Sequence, residues 1–369
     1  MRIVNLSYVS IKEYDRPESW LKRINYFTGI LEAMSLEATV INFHSIRYKG
    51  ILTRNGVEYH FKQLSIFQRW FPFAFHSYML GLKPDVIIVH GLLFPWQVLL
   101  LQWQRDQDVK IFIQHHAERP LKGLRNFLQR KADQQVEGYF FSSRELGLEW
   151  VRRKLISNEK RIYEVMEVSS VFSPVMRDHA RQRTLVSGSV VYLWVGGLTT
   201  NKDPLTAVKA FRQFLVAEPS AELYLIYHST ELLKQIKDFL SNGPGLGKSI
   251  HMIGEIPRDE MGLWFCSADY IISSSHYEGS GTAICEAMSC GCIPILSDIP
   301  SFRMMTANGS CGFLFPPGNN NALAEVLQKS LIIDRGAART RVLEQFRTTL
   351  SFGAIARQIL LAINKPRNS

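Results

Sequence analysis

Long hydrophobic runs and targeting signals are what this 369-residue sequence lacks. No apolar run approaches the roughly 18 residues that cross a bilayer as a helix. The opening residues, Met1 to Leu6, lead directly into a predicted strand and contain no hydrophobic segment of the signal-peptide kind. We therefore expect a cytoplasmic protein, and its nearly half-apolar composition indicates an ordered, globular one.

Cysteine is scarce, and its spacing excludes the common zinc sites. Four of the five cysteines fall in one short region, at Cys285, Cys290, Cys292 and Cys311. That spacing is not a zinc-ligand pattern, and most of these residues lie in apolar runs. We expect buried, reduced thiols and predict no metal site.

Acidic residues are fewer than basic ones, and the formal net charge is +10. Two runs are basic: Arg119, Lys122, Arg125, Arg130 and Lys131 form one, and Arg152-Arg153-Lys154 forms the other. A solvated helix face, an anionic membrane surface and a nucleic acid are the alternatives. The sequence has no alternation of aromatic and basic residues of the RNA-binding kind and no known DNA-reading motif. We therefore predict no nucleic-acid partner.

Clustered aromatic residues raise the question of a membrane surface. Phe67, Trp70, Phe71, Phe73 and Phe75 surround Arg69, and Leu92-Leu93-Phe94-Pro95-Trp96 follows. Aromatic side chains beside cations suit peripheral contact with an anionic membrane, here its inner face. They suit a helix packed in the core equally well.

Strand-like and helix-like segments alternate in both halves, which predicts an α/β protein with two doubly wound parallel sheets. The predicted strands span 3–8, 38–43, 86–90, 110–114, 138–142, 162–166, 190–195, 222–227, 251–253, 270–273 and 293–296. Helix-like stretches separate them, as at 20–34, 96–104, 124–132, 144–155, 204–216, 231–240, 258–266, 282–289 and 322–331. We expect domains at 1–170 and 190–350 facing each other across a cleft, a linker at 171–189, and a C-terminal segment, 351–369, whose helix packs back on the first domain.

The most informative motif is Glu278-Gly279-Ser280-Gly281-Thr282-Ala283-Ile284-Cys285-Glu286. It follows a predicted strand and opens a helix, so it lies at the carboxyl edge of the sheet, where anions and nucleotides bind. The first amides of the helix, from Gly281 to Ala283, would point outward, and Glu286 follows Thr282 by one turn. This arrangement fits a nucleoside diphosphate sugar. The amides would bind its diphosphate, the carboxylate of Glu286 would bind a vicinal diol, and Glu278 would reach the group beyond the phosphates. The alternative is that Glu278 only favours the helix dipole and the glycines only turn the chain.

Further motifs resemble those of the family 4 glycosyltransferases, retaining enzymes of the two-domain GT-B fold. Trp194-Val195-Gly196-Gly197-Leu198 with Asn201-Lys202-Asp203-Pro204 is similar to the family's "VGRL…KG" segment. Glu278 to Glu286 matches its E-x7-E signature, Glu286 to Pro294 matches "EAMACGxPV", and Gly312 to Gly318 matches "GxLxxPGD". The resemblance is dense from Val190 to Leu327 and looser before it.

The resemblance implies roles for particular residues. Lys202 would hold the donor diphosphate together with the amides of Gly281 and Thr282, and Glu286 would accept hydrogen bonds from the ribose. Glu278 would contact the transferred sugar. The remaining donor-binding positions would be Gly196, Gly197 and Ala283. In the first domain His116 would lie near the reacting sugar, with His115 as the alternative if the alignment slips by one residue.

The sequence departs from the family pattern in several places. The loop after the first strand, Val9 to Asp15, has no glycine pair, and Gly197 replaces an arginine that usually neutralises the diphosphate. Tyr227-His228-Ser229 replaces a glycine-containing turn, and Met304 replaces a common glutamate. The missing arginine removes a charge-assisted contact, worth roughly 1.5–3 kcal/mol. Lys12 and Arg16 are candidates to replace it.

The function that the resemblance implies is retaining transfer of a hexose. The donor would be a nucleotide diphosphate sugar, a UDP-sugar first, and the acceptor a carbohydrate or a lipid-linked saccharide used in cell-surface polysaccharide or glycoconjugate synthesis. No metal and no other cofactor would be needed. The alternatives are a sugar-nucleotide 2-epimerase of similar fold and a non-catalytic carbohydrate-binding descendant.

Overall fold

The computed structural model describes residues 1–120, 122–242 and 246–365. Two compact units follow from the contacts within the chain. The first unit comprises Met1–Ser169 together with the C-terminal helix, and the second comprises Ser170–Ser351. Each unit has its own sheet covered by helices, largely parallel in the first unit and parallel in the second, as the alternation of elements predicts.

The first unit is built on a sheet of order β3-β4-β2-β1-β5-β6-β7-β8. Its strands are β1 (Arg2–Leu6), β2 (Thr39–His44), β3 (Gly50–Arg54), β4 (Val57–Phe61), β5 (Val86–His90), β6 (Lys110–Gln114), β7 (Gly138–Phe141) and β8 (Ile162–Glu164). Its helices are α1 (Pro17–Arg23), α2 (Asn25–Met34), α3 (Ile66–Trp70), α4 (Phe73–Leu80), α5 (Pro95–Gln104), α6 (Leu124–Asp133) and α7 (Arg144–Arg152). The buried strand β5 ends at His90 and β6 ends at Gln114, so the residues that follow lie at one edge of the sheet.

The hairpin of β3 and β4 is absent from the sequence-based prediction. These strands pair antiparallel around Asn55 and Gly56, and both turn residues have positive φ, 47° and 80°. An Asn-Gly pair is the usual signal for such a tight turn. The prediction misses it because β3 is largely exposed, so its sequence shows no buried face.

The second unit has a sheet of order β11-β10-β9-β12-β13-β14, and all of its strand pairs are parallel. Its strands are β9 (Val191–Val195), β10 (Glu222–Ile226), β11 (Ile250–Gly254), β12 (Tyr270–Ser273), β13 (Ile293–Ser297) and β14 (Phe313–Phe315). Its helices are α8 (Arg177–Thr184), α9 (Pro204–Phe214), α10 (Leu233–Ser241), α11 (Leu246–Ser249), α12 (Met261–Ser267), α13 (Thr282–Ser289), α14 (Pro300–Met305), α15 (Asn320–Ser330) and α16 (Arg335–Gln345). The last helix, α17 (Phe352–Ile363), belongs to the first unit.

The expectation of a linker at 171–189 is corrected by the structure. This segment carries α8 and belongs to the second unit. Helix α8 packs against α12, and Ala180 is buried between them. The polar, basic composition that suggested a linker has a different cause. Arg177 and Arg181 lie 2.7 and 3.4 Å from the buried carboxylate of Asp269.

Helix α17 packs on α2 within the first unit. The two helices approach closely at Gly29, where a Cβ would lie 2.6 Å from the ring of Phe352. The apolar face of α17, which includes Ile355 and Ile359, is buried. This contact explains why a helix with no following strand is as apolar as it is.

Two expectations from composition concern the interior and the membrane. The thiols of all five cysteines are reduced and buried, as expected. Among the described residues, no helix has the length and apolar character needed to cross a bilayer.

Asp269 generates a prediction about stability. Its buried side chain pairs with Arg177, Arg181 and Arg335 and accepts a hydrogen bond from the amide of Val191 at 2.9 Å. We expect Asp269→Ala to lower the free energy of unfolding by about 3 kcal/mol, because buried cation–carboxylate contacts lose their shared partner. Urea denaturation should measure it. Asp238→Ala, an exposed acid of the same unit, should change stability by less than about 0.5 kcal/mol. Equal effects of the two changes would contradict this role.

Candidate active site

The order of strands in the second unit reverses between β9 and β12. The chain runs from β9 outward to β10 and β11, then returns to the other side of β9 for β12, β13 and β14. Loops that leave the carboxyl ends of β9 and β12 therefore diverge to opposite faces of the sheet. A crevice at such a point is the usual ligand site of parallel α/β sheets.

The loop after β12 ends in the amino terminus of α13. Gly281 precedes the helix with φ 61° and ψ 57°, a left-handed conformation that favours glycine. A Cβ at Gly281 would also lie 2.7 Å from the ring of Phe302. The amides of Thr282 and Ala283 stand in the first turn, where no earlier helical carbonyl is available to them. The first-turn amides and the partial positive charge of the helix terminus inferred from the sequence are thus found together.

The loop after β9 is hydrogen-bonded to the loop after β12. Asn201 Nδ2 donates to the carbonyl of Tyr277 at 2.9 Å. Ser274 Oγ donates to the carbonyls of Asp203, at 2.6 Å, and Lys202. These bonds bring Lys202 Nζ to 2.5 Å from Glu278 Oε1. Two residues that the motif analysis selected separately are therefore in direct contact.

Glu286 lies one turn into α13 and is buried. Its Oε1 is 2.6 Å from a terminal nitrogen of Arg258, which begins a short turn after β11. The sequence analysis missed Arg258, although it follows a strand that ends at the same edge of the sheet. The carboxylate expected to bind a ribose is thus held by an arginine of the same unit.

Two departures from the family pattern prove to be neighbours in space. A Cβ at Gly197 would lie 2.8 Å from Ser229 Oγ. Because Ser229 stands in the turn that usually contains glycine, its side chain occupies the space that a residue at position 197 would need. The two departures from the family pattern are therefore in contact.

Several histidines lie at the corresponding edge of the first unit, and three of them lie at or just after the ends of β5 and β6. His90 ends β5, and His115 and His116 follow β6. His115 points into the interior, where its ring stacks on Phe141 at 4.6 Å between centroids. The ring of His116 is 38% exposed and points out of the sheet edge. Of the two adjacent histidines, only His116 can meet a ligand there.

Glu118 fixes the loop that bears His116. One carboxylate oxygen accepts from the amide of His116 at 2.6 Å, and the other accepts from the amide of Leu92 at 3.0 Å. His115 contacts the carbonyl of Glu118 at 2.9 Å. The positive φ of Ala117, 66°, completes the turn.

A chain of side chains crosses this edge from Glu167 to Asn5. The carboxylate of Glu167 pairs with His116 Nδ1, and His116 Nε2 lies 3.0 Å from His90 Nδ1. His90 Nε2 lies 3.2 Å from Asn5 Oδ1. If Asn5 Oδ1 and Glu167 both accept, the chain is satisfied when His90 carries its proton on Nε2 and His116 carries protons on both nitrogens. Glu167 was missed by the sequence analysis, although it is an acid in the apolar stretch that follows β8.

The pKa values of the two rings move apart for physical reasons. Burial and the neighbouring charge of His116 hold the pKa of His90 well below its usual value. For His116, desolvation by the surrounding protein lowers the pKa. The negative charge and hydrogen bond of Glu167, with the negative charge of Glu118, outweigh this effect, and the pKa of His116 is raised. The two pKa values therefore shift in opposite directions, and of the two rings it is the exposed one, His116, whose charged form is favoured.

The same edge borders a cavity of about 230 Å³. Its polar lining includes His90, His116 and Glu167, and its apolar lining includes Trp20 and Phe27. Within the described ranges, no group of three or more His, Cys, Asp and Glu side chains is arranged to hold a metal ion. Metal independence stays a prediction.

Comparison with known proteins confirms the resemblance to glycosyltransferases. Residues 176–344 match the family Glycosyl transferases group 1. D-inositol 3-phosphate glycosyltransferase of Streptosporangium roseum is 26% identical over 195 residues, which cover 51% of this chain and 42% of that protein. GDP-mannose:cellobiosyl-diphosphopolyprenol alpha-mannosyltransferase of Xanthomonas oryzae is 26% identical over 141 residues, 37% of this chain and 36% of that protein. The matches thus span less than half the length of these curated relatives.

Solved structures resemble the whole chain. Sucrose-phosphate synthase from Thermosynechococcus elongatus superposes with a TM-score of 0.72 at 19% identity and 98% coverage of both chains. A trehalose-6-phosphate protein from E. coli, solved with UDP-2-fluoro glucose, gives 0.73 at 12% identity and 100% coverage of both. The predicted GT-B fold with its two Rossmann-like units is confirmed.

The histidine pair generates a prediction about pH. We expect NMR titration to find the pKa of His116 above the usual value of about 6.5, and Glu167→Gln to lower it, since the compensating charge is lost. Because the folded pKa is raised, the pairing stabilises the protein below pH 6.5 or so, and this stability is lost as pH rises through the folded pKa. Glu13→Gln, an exposed acid elsewhere, should leave the titration unchanged. A His116 pKa that Glu167→Gln does not lower would contradict this assignment.

Proposed function

We propose that this chain is a retaining family 4 glycosyltransferase that moves a hexose from a nucleotide diphosphate sugar to a saccharide or lipid-linked acceptor. The observation that carries the proposal is the contact of Lys202 with Glu278 beside the amino terminus of α13. A cation, outward amides and a carboxylate are thereby grouped at the point where the strand order reverses. The match of residues 176–344 to the glycosyltransferase family supports it.

The donor would bind to the second unit. The amides of Thr282 and Ala283 and the ammonium of Lys202 would hold the diphosphate oxygens, with backbone approach at Gly196, Gly197 and Gly281. To do so, Lys202 must exchange the carboxylate of Glu278 for phosphate. That exchange would free Glu278 to accept hydrogen bonds from hydroxyls of the sugar.

The reaction would consist of one substitution at the anomeric carbon. The bond from this carbon to the diphosphate oxygen breaks, and the bond to the acceptor oxygen forms on the same face of the sugar. The acceptor proton passes to the departing diphosphate, whose growing charge Lys202 and the helix amides stabilise. Neither glutamate needs to act as a covalent nucleophile, and no metal is needed.

The acceptor would meet the first unit near His116. The imidazole of His116 contacts Glu167 and His90, and the adjoining cavity is largely apolar. A ring whose pKa is raised, beside apolar walls, suits a sugar hydroxyl or phosphate attached to an apolar group. A lipid-linked saccharide of the cytoplasmic phase of polysaccharide synthesis fits this lining.

UDP is the first candidate for the donor base, because the similar E. coli protein was solved with UDP-2-fluoro glucose. The similar Xanthomonas protein is named for GDP-mannose, so both donors belong in the test. Incubation with the donor and no acceptor distinguishes the epimerase alternative from the transferase. Formation of an isomerised sugar would support the epimerase. A chain that binds no nucleotide sugar would instead be a non-catalytic descendant.

The function is tested by transfer assays with both donors and a panel of saccharide and polyprenyl-linked acceptors. We expect nucleotide diphosphate release that depends on acceptor, with the anomeric configuration retained in the product. Lys202→Gln should lower kcat about 100-fold or more, because a group that stabilises the leaving charge is removed. Lys209→Gln, an exposed change in the same unit, should leave kcat unaltered. Full turnover by Lys202→Gln would exclude the assigned role.

The role of Glu286 is tested by donor binding. Glu286→Gln should weaken nucleotide sugar binding by about 10- to 100-fold, because a charged hydrogen-bond acceptor is lost. Calorimetry should also compare the ordinary donor with its deoxyribose analogue. The wild-type protein should prefer the ribose form, and Glu286→Gln should lose that preference. If Glu286→Gln kept the preference for the ribose form, Glu286 would not be the residue that binds the ribose.

A further inference from the structure

Large apolar side chains of the first unit cluster on one exposed face. Phe67 is 71% exposed, Trp103 is 79% exposed and Leu124 is 74% exposed. Other large side chains exposed on α3, α4, α6 or the adjoining loops are Ile66, Trp70, Phe71, Phe73, Leu93 and Phe127. We call the surface formed by α3, α4, α5 and α6 the aromatic face.

The rings of the aromatic face contact one another in two groups and are not isolated residues. The rings of Phe67 and Phe71 lie 5.2 Å apart, and Phe71 contacts Trp96 edge-on at 6.4 Å. Phe73 likewise contacts Trp103 at 6.3 Å. Exposed apolar surface that is contiguous marks an interaction site, whereas scattered residues need no explanation.

The structure separates core residues from surface residues within this segment. Phe75 and Leu92, two members of the aromatic runs in the sequence, are buried and belong to the core. Phe67, Trp70, Phe71 and Phe73 are exposed. Packing in the core therefore accounts for only part of the aromatic content.

Cations outnumber acids in this region. From Arg119 to Lys131 the sequence has five cations and no acid, and from Tyr59 to Arg105 it has four cations against Asp85 alone. Lys122 and Arg125 are exposed next to Leu124 on the aromatic face. Cations beside exposed aromatic rings complement a surface that is apolar inside and negatively charged outside.

A groove of about 550 Å³ opens on the aromatic face. Arg69, Lys122 and Arg125 line it together with Trp70, Trp96 and Leu124. Its walls are fixed, because Trp96 Nε1 donates to the carbonyl of Trp70 and Gln97 Nε2 donates to that of Arg69, both at 2.9 Å. Arg69 Nε is buried and lacks a hydrogen-bond partner among the residues that the structure describes.

We infer that the aromatic face docks on an anionic lipid bilayer, with a headgroup phosphate in the groove of Arg69, Lys122 and Arg125. The exposed rings would enter the interfacial layer, and the cations would remain at phosphate level. A second copy of the chain is a poorer occupant, because a symmetric contact would set this basic face against itself. The inference does not need the proposed transfer reaction, but it would bring a lipid-linked acceptor to the first unit.

Vesicle cosedimentation tests the inference with the full chain. Phosphatidylcholine vesicles are compared with vesicles in which about a third of the lipid is phosphatidylglycerol, at about 0.05 M and about 0.5 M salt. We expect binding to the anionic vesicles at low salt, at least tenfold weaker binding to phosphatidylcholine, and release at high salt. Equal binding to both vesicle types, or none, overturns the inference.

Paired variants locate the binding surface. Lys122→Glu/Arg125→Glu should weaken binding at least tenfold by reversing two charges, and Phe67→Ser/Trp103→Ser should weaken it about fivefold or more without removing the salt dependence. The matched controls on the second unit are Arg183→Glu/Lys209→Glu and Val216→Ser/Ile332→Ser, which change exposed residues of the same kinds. The controls should bind as the wild type does, and circular dichroism should give the same melting curve for all variants.

Two measurements oppose the inference directly. Sedimentation equilibrium would assign the face to a second copy if a dimer formed and both aromatic-face variants abolished it. Anisotropy with a single-stranded oligonucleotide would assign it to nucleic acid if the same variants abolished tight binding. Either result, and equally poor vesicle binding by the control variants, would overturn membrane docking. None of these outcomes bears on the transfer assay, so the two proposals fail separately.

Discussion

The parallel pairing of β9 with β12 is the contact on which the candidate donor site depends. Its register sets Tyr192 beside Tyr270, and their stacked rings, 5.0 Å apart, are buried in the core. The two strands therefore end at one level, where Ser274 can bind the carbonyls of Lys202 and Asp203. A slip of one residue would turn each side chain of a strand to the other face. Packing inside the sheet thus determines which charges meet outside it.

Each candidate site keeps its charges in pairs. Lys202 contacts Glu278, Arg258 contacts Glu286, and His116 contacts Glu167. Such pairs satisfy groups that would otherwise be costly to leave partly desolvated. Under the proposed function, a charged ligand would bind by exchanging partners, and a phosphate would compete with the carboxylate of Glu278 for Lys202. The helix amides at Thr282 and Ala283 have no such competitor within their own helix.

Elements of this fold with a clear local sequence pattern are predicted correctly, and elements that depend on distant contacts are not. Helix Thr282–Ser289 has the predicted bounds, because glycine or polar residues bracket a clear apolar stripe. The β3–β4 hairpin was missed, since only the Asn55-Gly56 turn signals it. Helix α8 was taken for a linker, because its cations look solvated until Asp269, distant in sequence, is brought beneath them. The Asn55-Gly56 pair could have predicted the hairpin. No local pattern predicts the pairing of the α8 arginines with Asp269, because these residues are far apart in the sequence.

The sequence by itself determined the alternation of strands and helices, the reduced thiols, and the motif at 278–286, since these depend on residue type and local spacing. Tertiary structure alone decided which of His115 and His116 is exposed, that Arg258 pairs with Glu286, and that Ser229 fills the space beside Gly197. It also separated Phe75, in the core, from Phe67, on the surface. The physical reason is that burial and charge pairing are properties of distances between residues far apart in the chain, and a linear pattern contains no such distances.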